Sequence, residues 1–225
     1  VAHLEAKHPR LIRWCHWINV PLLAMMVYSG ILIYWAYPVY RVGLGEHTLV
    51  AMRLSRDGWT ALHLNNRLAH GMALHFFFMW LIVANGAVFV VAVIASGEWR
   101  HLIPGRSSLR EAVQVLLHDL HLSRAQPPPR KFNGAQQIAY TAVVLMGIGS
   151  LISGLAIYKP VQLEWLTTLL GGYQGARFVH FWLAVSFVGF LVIHVAQVFR
   201  AGWNNLRAML TGYEVVEDPV VETEP

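Results

Sequence analysis

The chain has 225 residues, of which 56% are hydrophobic and only 13% charged, about half the charged share of an ordinary soluble domain. Its single cysteine, Cys15, excludes a disulfide framework, an Fe–S cluster built within the chain and covalent haem attachment through paired cysteines. Seventeen Lys and Arg stand against twelve Asp and Glu, and in so apolar a chain that excess is read loop by loop as membrane topology, not as affinity for nucleic acid.

The N-terminal stretch VAHLEAKHPRLIRWCHW is polar and runs directly into an apolar segment, so no cleavable leader is expected. Four apolar segments follow, at 17–37, 68–95, 138–158 and 178–199. Each has about twenty residues or more, enough to cross a hydrocarbon core of ~30 Å as a helix. Lipid offers no partner for exposed backbone groups, so all four are predicted to be helical. The expected fold is therefore all-α: an integral membrane four-helix bundle, with short amphipathic helices on its surface.

An even number of spans puts both termini on one side. Lys7, Arg10, Arg13, Arg100, Arg106, Arg110, Arg124, Arg130, Lys131, Arg200 and Arg207 fall on that side, and Arg41, Arg53, Arg56, Arg67, Lys159 and Arg177 on the other. The imbalance assigns the termini and the middle loop to the cytoplasm. Trp35, Tyr37, Tyr158, Trp165 and Tyr173 would form an outer aromatic belt.

The outer loop 38–66 is long enough to dock another protein. SSLREAVQVLLHDLHL at 107–122 reads as an amphipathic helix on the inner surface, and PPPRK at 127–131 as a stiff link. A short interfacial helix is expected within 161–176, closed by GGYQG. Residues 1–213 form the expected four-span domain; 214–225, with five acidic residues and two prolines, form a tail expected to be disordered. No internal repeat is read beyond the four spans.

Ionisable residues inside membrane helices are costly and point to function. His16 opens the first span, His70 and His75 lie in the second, and His180 and His194 in the fourth. Fourteen residues separate His180 from His194, within roughly 40° of four whole turns and about 21 Å along the axis. Both imidazoles thus face one side, one near each leaflet. Because alternate spans run in opposite senses, His16 lies at the depth of His194 and His75 near that of His180.

One histidine in a membrane helix serves equally well as a packing residue or a proton relay; two pairs at matching depths point to two bis-histidine haems. With both axial positions filled, such iron transfers electrons rather than binding oxygen. His70 is about 140° around the helix from His75, so only one of them can face a given iron. His75 is preferred, with His70 an alternative ligand or a propionate contact. Gly30, Gly86, Gly147, Gly149 and Gly154 would let a flat macrocycle approach the backbone. Met25, Met26, Met72 and Met79 read as packing residues, with a methionine ligand the alternative reading. A His-lined transporter would carry acidic residues and broken helices at mid-membrane, and the four spans contain no Asp or Glu.

RLIRWCHWINVPLLAMMVYSG (10–30), LHFFFMWLIVANG (74–86), the His180/His194 spacing and GWNNLRAMLTGY (202–213) together resemble the bacterial di-haem cytochrome b subunits of respiratory complexes. That cytochrome b561-like group includes the membrane subunits of NiFe-hydrogenase, formate dehydrogenase (gamma) and thiosulfate reductase. The resemblance extends from Pro9 to Tyr213. It implies two haems b in the bacterial inner membrane, with His16, His75, His180 and His194 as iron ligands. It also implies electron transport between membrane quinone and a periplasmic partner: a molybdopterin oxidoreductase, a hydrogenase or a cytochrome c.

KFNGAQQ (131–137) is similar to an inner-loop motif whose asparagine lines the quinone pocket of formate dehydrogenase gamma subunits, which points to Asn133 with Gln136 beside it; Asn133 reads equally as a helix cap. The long outer loop is more like the thiosulfate-reductase type, whose partners include sulfite-oxidase-like molybdopterin enzymes. The alternative function is a self-sufficient cytochrome b561-type enzyme, such as a superoxide:quinone oxidoreductase. Small-residue faces on the spans also allow a dimer.

Overall fold

Hydropathy and helix length decide the architecture, because each long apolar segment must satisfy its own backbone hydrogen bonds in lipid. The computed structural model describes residues 2–36, 39–44, 47–53, 67–119, 122 and 132–217. Four helices among them are long and apolar enough to cross a membrane: α1 (Arg10–Ala36), α2 (Leu68–Ala95), α5 (Gly134–Tyr158) and α7 (Gly172–Ala201). The fold is an all-α membrane bundle. Val91, Ile94, Val192 and Ile193 are each at least 60% exposed, a surface that suits lipid and not water.

Two of the helices begin well before their apolar runs. Helix α1 starts at Arg10, so His16 lies almost two turns inside it rather than at its start. Helix α7 starts at Gly172, so most of GGYQG belongs to the fourth span and does not close the preceding helix. That preceding helix is α6 (Glu164–Leu169), and the turn between the two passes through Gly171 and Gly172, both at φ +82°. Such a turn is open to glycine and strained for any residue with a Cβ.

Close backbone packing occurs within two hairpins, α1 against α2 and α5 against α7. At Gly71 of α2 an added Cβ would lie 2.8 Å from Leu32 Cβ and 3.2 Å from Ser29 O, so the α1–α2 approach depends on glycine there. The hairpins meet each other largely through side chains. Tyr34 stacks on Phe181 at 5.3 Å between ring centres, and Phe76 meets Tyr158 at 4.6 Å.

The face carrying the termini is tied together by polar contacts. Strand β1 (Ala2–Ala6) pairs antiparallel with β4 (Tyr213–Glu217), Ala2 opposite Glu217 and Ala6 opposite Tyr213. Residues 214–217, assigned from their acidity to a disordered tail, are therefore a strand; their backbone finds a partner in β1, and Glu214 pairs with Lys7 at 2.5 Å. Residues 218–225 lie outside the described residues. Helix α8 (Trp203–Thr211) lies across the start of α1, where Arg13 Nη1 donates to Leu210 O and Trp17 Nε1 to Met209 O at 3.1 Å.

Between the hairpins, α3 (Trp99–Leu102) and the amphipathic α4 (Ser108–Asp119) lead into α5. Gly134 lets α4 approach: a Cβ there would collide with Ser108 O and Glu111 Cβ. Gln137 then accepts from Ser108 Oγ at 2.6 Å and donates to His101 O at 3.0 Å. The PPPRK link lies outside the described residues. On the opposite face, part of the long loop forms a hairpin of β2 (Val39–Leu44) and β3 (His47–Arg53); Tyr37 lies outside the described residues.

Replacing Gly71 by alanine should destabilise the bundle by about 1–3 kcal/mol through overpacking. Gly189→Ala, on α7 with no atom of the described residues within 4 Å of an added Cβ, should be neutral or slightly stabilising. Thermal unfolding in detergent, followed by circular dichroism, checks both; equal melting of the two variants would contradict the close α1–α2 approach.

Candidate functional site

Four histidines in three membrane helices gather into two pairs. His75 of α2 faces His180 of α7, with ring centres 6.2 Å apart and planes inclined by 73°. His16 of α1 faces His194 of α7, with ring centres 6.0 Å apart and an inclination of 61°. Every one of the four is half-buried. Along α7 the two sites are about 21 Å apart, the His16/His194 site toward the terminal face and the His75/His180 site toward the β2–β3 face.

The two sites are supported differently. His75 Nδ1 lies 3.0 Å from Ser29 Oγ on α1, and His180 Nδ1 lies 3.0 Å from Ser153 Oγ on α5. Both serines are 0% exposed. Their hydroxyls also donate to carbonyls of their own helices, Ser29 to Met26 O at 3.1 Å and Ser153 to Gly149 O at 2.7 Å. At the other site, His16 Nδ1 is buried with no hydrogen-bond partner among the described residues. That pair is held by rings instead: Phe190 stacks on His194 at 5.7 Å and 11°, and Trp17 meets His16 edge-on at 5.3 Å.

The pairs can be tested against an axial-ligand geometry. With metal–imidazole bonds of about 2 Å and each ring centre little more than 1 Å behind its nitrogen, trans imidazoles on one iron lie about 6 Å apart, centre to centre. Both pairs fit. The backbone is thin beside them: a Cβ at Gly30 would sit 3.8 Å from His75 Cε1, and one at Gly154 only 3.3 Å from His180 Cε1. Among the described residues no group of three or more His, Cys, Asp or Glu gathers to form a non-haem metal site.

A model of the prokaryotic cytochrome b561 family matches residues 7–212, nearly the whole chain. The chain belongs to the prokaryotic cytochrome b561 family. It is therefore a multi-pass membrane protein that binds haem b and transfers electrons. This cytochrome b561 is also 32% identical over 211 residues to a protein of Azospira oryzae provisionally named protein-methionine-sulfoxide reductase subunit YedZ1. The match covers 93% of this chain and 98% of that one.

The other residues singled out in the sequence are placed apart from these pairs. His70 is exposed in the first turn of α2, and His75 rather than His70 meets His180. Asn133 and Gln136 form a reciprocal capping box at the start of α5: Asn133 Oδ1 accepts from Gln136 N at 2.9 Å, and Gln136 Oε1 from Asn133 N at 3.0 Å. The cap engages both side-chain carbonyls and leaves their amide N–H groups outside it.

Sequence reasoning missed the serines, since a serine in an apolar helix carries no signal of its own. It also missed Asn85. That residue donates from Nδ2 to Cys15 O at 2.9 Å and to Asn19 Oδ1 at 2.7 Å, bonding α2 to α1 one residue from His16. An amide in an apolar span at the depth of a ligand was the available clue. Asn85→Leu should cost about 1 kcal/mol, the usual scale of an interhelical hydrogen bond in a membrane. A detergent melting curve unchanged from the parent protein would show that the bond contributes nothing.

Proposed function

We propose that this cytochrome carries electrons across the membrane through two bis-histidine haems b, linking membrane quinone on one side to a partner oxidoreductase on the other. The ligand pairs are His16/His194, toward the cytoplasm, and His75/His180, toward the periplasm of a bacterial inner membrane. The supporting observation is that both pairs independently meet the trans-axial spacing, at 6.0 and 6.2 Å. The four imidazoles would hold the haem iron, and haem b bound there would supply one-electron transfer.

The relative's name favours a partner that reduces methionine sulfoxide in proteins. Reducing a sulfoxide to a thioether consumes two electrons and two protons and releases water. A quinol supplies two electrons on oxidation to quinone, so flow from quinol outward to the partner is the direction that balances. Such a partner fits the molybdopterin class implied by the long outer loop, and the β2–β3 hairpin lies on the face where it would dock. The quinone site is proposed beside the α5 cap, where the amide N–H groups of Asn133 and Gln136 are available to a quinone carbonyl.

In lipid nanodiscs a short-chain quinol should reduce all the haem of the intact chain. His194→Ala should lose half of the haem and with it rapid reduction by quinol. His180→Ala should lose the other half and leave quinol reduction of the remaining haem intact. Two haems retained in either variant would overturn the ligand assignment. Oxidation of superoxide by the chain alone would favour the self-sufficient reading over the partnered one.

A further inference from the structure

The first and third spans carry the same short pattern: Ser29-Gly30 with Tyr34, and Ser153-Gly154 with Tyr158. The second and fourth spans carry another: His75-Phe76 and His180-Phe181. In space the patterns correspond. Each serine meets the Nδ1 of the histidine on the following span, at 3.0 Å in both cases. Each glycine sits under that histidine's Cε1. Each tyrosine packs on the phenylalanine of the other hairpin, Tyr34 on Phe181 and Tyr158 on Phe76. The two hairpins thus present equivalent half-sites to one another at the β2–β3 end of the bundle.

The other end lacks this equivalence. Carrying His16 from the first span to the third by the same correspondence reaches Tyr140, and carrying His194 back from the fourth span to the second reaches Phe89. The His16/His194 pair therefore has no symmetry mate, and its His16 Nδ1 has no acceptor among the described residues.

From this we infer that Ser29 and Ser153 are paired positioning residues for the His75/His180 haem, each accepting a hydrogen bond from an axial imidazole and lowering that haem's midpoint potential relative to the His16/His194 haem. The inference rests on the bis-histidine reading above. An imidazole bound to iron through Nε2 must carry its proton on Nδ1, and that proton needs an acceptor. Each serine hydroxyl has a carbonyl of its own helix to receive its hydrogen, Met26 O or Gly149 O, so Oγ can accept from the imidazole alongside the backbone carbonyls of Met26 and Ser150, which also face His75 and His180. The bond fixes ring orientation and tautomer and makes the imidazole a stronger donor to iron, stabilising the ferric state. Such a bond on both imidazoles of one site acts twice there, while among the described residues His16 Nδ1 has none.

The test is a potentiometric titration of haem absorbance in Ser29→Ala, Ser153→Ala, the double variant and the matching Ser→Thr variants, with haem content measured alongside. Each alanine variant should raise the midpoint of one haem component and leave the other unmoved, and the double variant should raise the same component further. Repeating Ser29→Ala and Ser153→Ala in a His194→Ala background, which keeps the His75/His180 site, should reproduce the shift there. Threonine should restore the parental potential because it keeps the hydroxyl.

Two haems with both midpoints unmoved would overturn the inference, as would equal shifts of both components. Loss of the outer haem in alanine variants but not in threonine variants would still support a hydroxyl requirement. Loss in both would assign the serines to packing alone and overturn it. Failure of the parent protein to hold two haems would instead refute the bis-histidine reading itself.

Discussion

Four half-buried imidazoles in a lipid-facing bundle must be paired and supported, and this requirement organises the rest of the molecule. Helices that packed only on one another would close along their whole length. Here, close backbone packing is found within hairpins, whereas the hairpins face each other through histidines, tyrosines and phenylalanines. Glycine at Gly71 draws α1 onto α2, while Gly30 and Gly154 thin the backbone beside the rings. Small residues thus perform two tasks: bringing backbones together in one place and making room for imidazoles in another.

Much of this architecture was legible in the sequence, because the physical rules involved are strong. Hydrophobic length exposes the spans, and the turn count between His180 and His194 places two imidazoles on one face of α7. Alternating span direction then selects their partners, and the structure brings those same residues to about 6 Å. What escaped notice is equally physical. Apolar runs do not reveal where α1 and α7 begin, since Arg10–Arg13 and Gly172–Arg177 are polar yet helical beyond the apolar stretch. Acidity at Glu214 suggested a free tail because strand pairing with β1 depends on a segment more than 200 residues away. Ser29 and Ser153 were silent because their role appears only when another helix brings a histidine to them. The correspondence between hairpins, a few residues long and set at different offsets, hides in the same way.

Membership of the prokaryotic cytochrome b561 family and the geometry of the pairs bear on different levels of function. The family accounts for haem b, the membrane and electron transfer. The unequal support of the two pairs bears on the proposed second level: one pair is built from matched half-sites with a serine hydroxyl beside each imidazole, the other is a lone diagonal pair braced by aromatic rings. Such an asymmetry gives a direction to the bundle that its apolar exterior does not.

The most direct test of the central claim is the haem content per chain of detergent-purified protein, by pyridine haemochrome assay, together with the low-temperature EPR spectrum of the oxidised form. The account predicts about two haems b per chain, both low-spin with bis-imidazole signals. A single haem, or a high-spin signal with an open axial position, would contradict the pairing of His16 with His194 and of His75 with His180.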